Sequence, residues 1–155
     1  MPARACRAVD PIRLASWRAR RASARQPVVS ADASESGAQG GTAILRAGEL
    51  LPGQSRKFIL ACGAQEIECF VVNWRGLLRA FVNRCRHIPM TLDWVENQFF
   101  DEAGDYLLCP THGALYEPDG GECVVGPPCG KALHAVPLVE RAGEIVALCP
   151  QPLPE

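Results

Sequence analysis

Residues 83–116 read NRCRHIPMTLDWVENQFFDEAGDYLLCPTHGALY. Cys85 and His87 stand with one residue between them; 21 residues follow, and then Cys109 and His112 stand with two between them. The chain has only three histidines, at 87, 112 and 134, so two of the three fall in these pairs. Each pair follows an apolar run of strand type, Leu77 to Asn83 for the first and Asp105 to Leu108 for the second. A loop leaving a strand can turn a thiol and an imidazole inward together, and these are donors that iron and zinc accept.

Other accounts of the four residues are open at this level. Without any metal, the two cysteines are small buried hydrophobes. A structural Cys₂His₂ zinc site is the nearer rival, but its loops usually separate two ligands by two to four residues. Cys85 and His87 are separated by one. A Cys–His nucleophile would use one pair and leave the other idle.

Outward from this stretch, the chain reads as short strands joined by tight turns. Arg56 to Cys62 and Glu66 to Trp74 flank Gly63-Ala64-Gln65 and predict a hairpin. Arg75-Gly76 predicts a turn into Leu77 to Asn83. Phe99 to Asp101 and Asp105 to Leu108 predict a second hairpin across Glu102-Ala103-Gly104, and Cys109 to Gly121 a long loop. Gly126-Pro127-Pro128-Cys129-Gly130 predicts a rigid irregular loop, because proline fixes φ and donates no hydrogen bond. Leu133 to Val139 and Glu144 to Leu148 predict a last hairpin. The expectation is an all-β fold with no internal repeat.

The chain of 155 residues carries −1 overall. Residues 1–41 hold seven Arg against Asp10, Asp32 and Glu35, which is +4, so the remainder carries −5. An acidic domain is a poor nucleic-acid binder and suits a basic protein face. No run of about 18 apolar residues predicts a membrane span. Residues 1–41 read as a disordered basic tail or start-site extension, 42–150 as the folded domain, and 151–155 as a C-terminal tail. The tail lacks the apolar core of a secretory signal, and small polar residues follow Arg20-Arg21, against a twin-arginine signal. The expected location is the cytoplasm, with its eight cysteines reduced or metal-bound. Cys123 and Cys129 read as thiols, with a local disulfide as the alternative. His134 reads as an ordinary strand histidine, and Trp74 and Trp94 as core or loop-packing residues.

The pattern C-x-H, spacer, C-x-x-H resembles the Rieske iron–sulfur family. Gly113 after His112, Tyr116, the proline loop Gly126-Pro127-Pro128 and the run Gly130 to Leu133 continue the likeness over about residues 42–149. The resemblance implies a small antiparallel sandwich with a two-loop cluster-binding subdomain and one [2Fe–2S] cluster per chain. It implies that Cys85 and Cys109 bind one iron and His87 and His112 the other, with the imidazoles towards solvent. It also implies that Tyr116 donates its O–H to the Cys85 sulfur. Such a centre is neutral when oxidised, because two Fe³⁺ balance two sulfides and two thiolates, so it accepts an electron more readily than a four-cysteine dianion. The disulfide that respiratory members place beside the cluster is missing, since neither Ile88 to Met90 nor Thr111 supplies a cysteine. High-potential members carry a serine at the position of Ala114. The likeness is therefore to the soluble, ferredoxin-like branch.

The function so implied is one-electron transfer, from a reductase to an oxygenase or another redox enzyme, with no catalytic site in the chain. A small subunit of a larger, nitrite-reductase-like enzyme is the alternative, and a zinc-stabilised interaction module the remoter one. An oxygenase with its own iron needs two further histidines and a carboxylate; only His134 is left. No glycine-rich dinucleotide fingerprint is present.

Overall fold

The computed structural model describes residues 41–152. The proposed tail, residues 1–41, lies outside these except for Gly41, as do residues 153–155. Ten strands form three sheets, every pairing is antiparallel, and no helix occurs among the described residues. None is therefore long and apolar enough to cross a membrane.

The central sheet is built from β2 (Ser55–Cys62), β3 (Gln65–Trp74), β4 (Leu77–Val82) and the two-residue β8 (Ala135–Val136), in that order. The expected first hairpin turns at Gly63-Ala64, in register from Cys62↔Gln65 to Ser55↔Val72. Its run Cys69-Phe70-Val71-Val72 is buried throughout because each face of the sheet meets a different neighbour. Cys69 and Val71, with Ala80 and Val82 of β4, face a core shared with Leu45, Ile145 and Ala147. Phe70, Val72 and Phe81 face a second core with Leu92, Phe99, Leu107 and Tyr116. Alternation in a strand sends neighbours to opposite sides, so a strand buried on both faces reads as one continuous apolar run.

One flanking sheet joins β1 (Gly41–Arg46), β10 (Glu144–Leu148) and β9 (Leu138–Arg141) in the order β1-β10-β9. The expected single strand from Leu133 to Val139 is two strands in two sheets, β8 and β9, split at Pro137, whose ring nitrogen has no N–H to continue a ladder. The other flanking sheet is small: β5 (Leu107–Cys109), β6 (Ala114–Tyr116) and β7 (Cys123–Val125). It corrects the long loop expected from Cys109 to Gly121: Cys109 pairs with Ala114 across a tight turn. Phe99 stacks on Phe70 at 4.0 Å between ring centroids and fixes this sheet against the central one.

Three further expectations are corrected. Cys62 and Cys149 form a disulfide, Cα–Cα 5.7 Å, linking the end of β2 to the segment after β10. Packing of the two sheets around one core brings these distant residues together, which spacing along the chain does not reveal. Trp94 is 71 % exposed and packs in no core. The Cys123 thiol donates to the Val125 carbonyl at 3.2 Å, whereas Cys129 is not the expected thiol: it is disulfide-bonded, though not to Cys123.

Candidate metal centre

Cys85 and His87 lie on the segment leaving β4. That segment folds back on itself, with the Cys85 N–H donating to the Met90 carbonyl at 2.8 Å. Cys109 ends β5, and His112 sits in the turn before β6. Gly113 closes that turn, its N–H donating to the Cys109 carbonyl at 3.0 Å with φ at +68°, a region that residues with a Cβ seldom enter. The third side of the site is the proline loop. Gly126 adopts φ +108°, and a Cβ there would lie 2.8 Å from the Ala114 Cα, so its backbone rests directly on the start of β6.

The structure brings all four sequence-selected residues together in a graded arrangement. Both thiols are buried, at 6 % and 1 % exposure for Cys85 and Cys109, and both imidazoles are exposed. The rings meet edge to face, with Nδ1 of His87 and Nδ1 of His112 3.3 Å apart. Two nitrogens on one tetrahedral metal, at ordinary metal–imidazole distances of about 2.1 Å, would be about 3.4 Å apart. Burial pushes the Cys85 thiol up, but hydrogen bonds from Tyr116, the His87 N–H, the Cys109 thiol and the Ile88 N–H together bring it below the usual range. Cys109 is pushed up by burial and by its neighbour Cys85. The buried Thr111 hydroxyl has no hydrogen-bond partner.

Tyr116 is fully buried, with its hydroxyl oxygen 3.2 Å from the Cys85 sulfur. The Arg86 N–H donates to that same oxygen at 3.1 Å. Burial raises the phenol above its usual range, so it keeps its proton. Arg86 also meets His134, its Nη1 against the ring Nε2. Burial, then the positive charges of Arg86 and Arg84, hold His134 below the usual imidazole range. His134 thus faces arginine and not the pair His87–His112. Among the described residues, no three His, Cys, Asp or Glu side chains surround a point that one ion could fill. A thiol pair beside an imidazole pair instead offers two donors to each of two metals.

The family model for the Rieske [2Fe–2S] domain matches residues 42–146. The chain belongs to that family. The Rieske domain's cofactor is a [2Fe–2S] cluster, and the soft thiols and imidazoles gathered here suit it. A relative among characterised proteins is the cytochrome b6-f complex iron–sulfur subunit of Chlorobaculum tepidum, 40 % identical over 57 residues. That match covers 37 % of this chain and 28 % of the subunit. Among solved structures, the fold resembles the ferredoxin of carbazole 1,9a-dioxygenase from Nocardioides aromaticivorans IC177. The TM-score is 0.54 at 22 % identity, over 70 % of this chain and 96 % of that one. It also resembles a chain from the complex of reduced oxygenase and oxidised ferredoxin in carbazole 1,9a-dioxygenase. There the TM-score is 0.57 at 20 % identity, over 75 % and 99 % of the two chains.

Sequence reading missed Asn83, Asp93 and Arg86 around this candidate site. Asn83, next to the first ligand pair and buried as a polar residue, left a faint signal; the other two left none.

Proposed function

We propose that this Rieske domain is a one-electron carrier that delivers electrons to an oxygenase, with Cys85 and Cys109 holding one iron of its cluster and His87 and His112 the other. The single observation that carries the ligand assignment is the facing pair of exposed imidazoles, Nδ1 to Nδ1 at 3.3 Å, above two buried thiols. Bound there, the cluster supplies reversible one-electron chemistry in a centre that is neutral when oxidised. The buried thiols and Tyr116 keep water from the inner side. The two imidazole edges reach the surface, where a partner protein can approach. The chain's third histidine is engaged by Arg86, so no two-histidine, one-carboxylate iron site is left for oxygen chemistry. An oxygenase as partner is supported by the ferredoxin–oxygenase complex among the similar structures. Reductase and oxygenase dock on one exposed edge in turn, each contacting the imidazoles.

Purified anaerobically, the protein is expected to contain about two irons and two acid-labile sulfides per chain. His87→Ala and His112→Ala abolish the visible bands, and His134→Ala keeps them. One zinc without sulfide refutes the function. Equal loss in all three variants refutes the ligand set. Reduction of an oxygenase component by the photoreduced protein, followed by stopped-flow, tests the direction of transfer; no transfer favours a reductase subunit.

A cytoplasmic location belongs to the same proposal, and the Cys62–Cys149 disulfide weighs against it, since cytosolic thiol pools reduce ordinary disulfides. Alkylation of intact cells decides: labelled Cys62 and Cys149 place the protein in the cytoplasm, and protected ones place it in an oxidising compartment.

A further inference from the structure

Asn83 follows the last residue of β4 and is 5 % exposed. Its Nδ2 donates to Glu68 Oε1 on β3 at 2.6 Å and to Asp93 Oδ1 at 2.8 Å. Its Oδ1 accepts from the Leu92 N–H at 2.9 Å, and its own N–H donates to the Glu68 carbonyl at 2.9 Å. The second oxygen of Asp93 takes Lys57 Nζ of β2 at 3.0 Å, with the aspartate side chain only 3 % exposed. A carboxamide suits this place because it donates two protons to two carboxylates and still accepts from a backbone N–H. Residues 84–92, which carry Cys85 and His87, are therefore gripped at both ends by one buried amide. Three strands of the central sheet contribute to the grip.

We propose that Asn83, Asp93 and Lys57 form a latch that positions the first ligand loop and governs how firmly the cluster is held. The three are positioning residues, and the inference rests on the ligand assignment proposed above. Removing the amide leaves the buried Leu92 N–H and the Asp93 oxygen that Lys57 does not reach without a partner, and takes a donor from the half-buried Glu68; the loop relieves this by moving away from β4. Removing the lysine leaves Asp93 as a buried charge without its counter-ion, with the same result. Groups behind metal ligands commonly alter retention by about 10–100-fold when lost.

Asn73 provides a matched control. It is also buried, at 7 % exposure, and its side chain donates to the Leu50 carbonyl at 2.7 Å and accepts from the Gly76 N–H at 2.9 Å. It lies at the opposite end of β3 from Glu68. The test uses the cluster-loaded full chain and its Asn83→Ala, Lys57→Met, Lys57→Arg and Asn73→Ala variants. The readouts are loss of visible absorbance under a chelator and the g-values of the reduced protein by electron paramagnetic resonance. Asn83→Ala and Lys57→Met are expected to lose the cluster at least about tenfold faster with shifted g-values. Lys57→Arg keeps the wild-type rate, and Asn73→Ala changes neither readout whatever it does to melting. Failure of Asn83→Ala alone to load a cluster also supports the latch. Equal loss rates in Asn83→Ala and Asn73→Ala, with unchanged g-values, overturn it. Wild-type protein without iron and sulfide overturns the ligand assignment instead.

Discussion

The Tyr116 hydroxyl has one proton and two neighbours. The Arg86 N–H can only donate, so it takes a lone pair of the phenol oxygen. The phenol proton is then left for the Cys85 sulfur at 3.2 Å. A thiolate on iron can only accept, which fixes the same direction. The donor stabilises the more negative, reduced centre and so raises its potential. A hydrogen bond to a charged group contributes about 1.5–3 kcal/mol, of which only part changes between redox states. A difference of about 1 kcal/mol corresponds to roughly 40 mV for one electron. Voltammetry of Tyr116→Phe is expected to show a fall of tens of millivolts, and an unchanged midpoint would reduce Tyr116 to a space-filling ring. Ala114 cannot donate as a serine would, so the wild-type midpoint is expected in the lower half of about −150 to +300 mV. At this scale the sequence was most informative. The ligand pairs and Tyr116 sit at fixed short offsets that a single strand or turn imposes. Asn83 and Asp93 meet across ten residues of loop, and Lys57 reaches them from another strand, so no local spacing announced them.

At the scale of elements, the proline loop decides how closely the second ligand turn is covered. Its first residue has no room for a side chain: a Cβ on Gly126 would meet the Ala114 Cα at 2.8 Å. Neither a Cβ nor the Ala114 Cα moves with a side-chain rotamer, so the strain can be relieved only by a backbone shift. Gly126→Ala is expected to cost about 1–3 kcal/mol, because it combines a positive φ with this clash. A lowered melting temperature and earlier bleaching in air would show it; a wild-type melting curve would mean the loop shifts without consequence. The hairpins flanked by glycine turns were legible because turn chemistry and strand alternation are both local. The three-residue strands β5, β6 and β7 were not. Runs that short carry too little alternation to stand out from loop, and β5 and β6 pair only across the irregular turn that holds His112.

For the whole molecule, the central sheet explains why so apolar a hairpin is stable in a chain of this size: it is covered on both faces. The Cys62–Cys149 bond then fastens one cover to it. Closing a loop with a sequence separation of 87 is worth about 4–5 kcal/mol in the chain-entropy account. The Cys62→Ser/Cys149→Ser double variant is expected to melt at least about 10 °C lower at unchanged iron content. An equal melting temperature would show that the sheets hold without the bond. This feature was illegible in the sequence, because eight cysteines admit many pairings and the expected cytoplasmic location pointed towards reduced thiols.

That bond also sorts the chain by how it answers to force. All four cluster-binding candidates lie between residues 62 and 149, inside the covalent ring, whereas β1 and nearly all of β2 lie outside it. Tension applied across Cys62 and Cys149 runs through the sulfur bridge, bypassing both ligand loops. The 87-residue stretch can hide about 300 Å of contour length until the bridge is reduced. Both ligand loops are thus mechanically unloaded whenever force acts across that pair of residues.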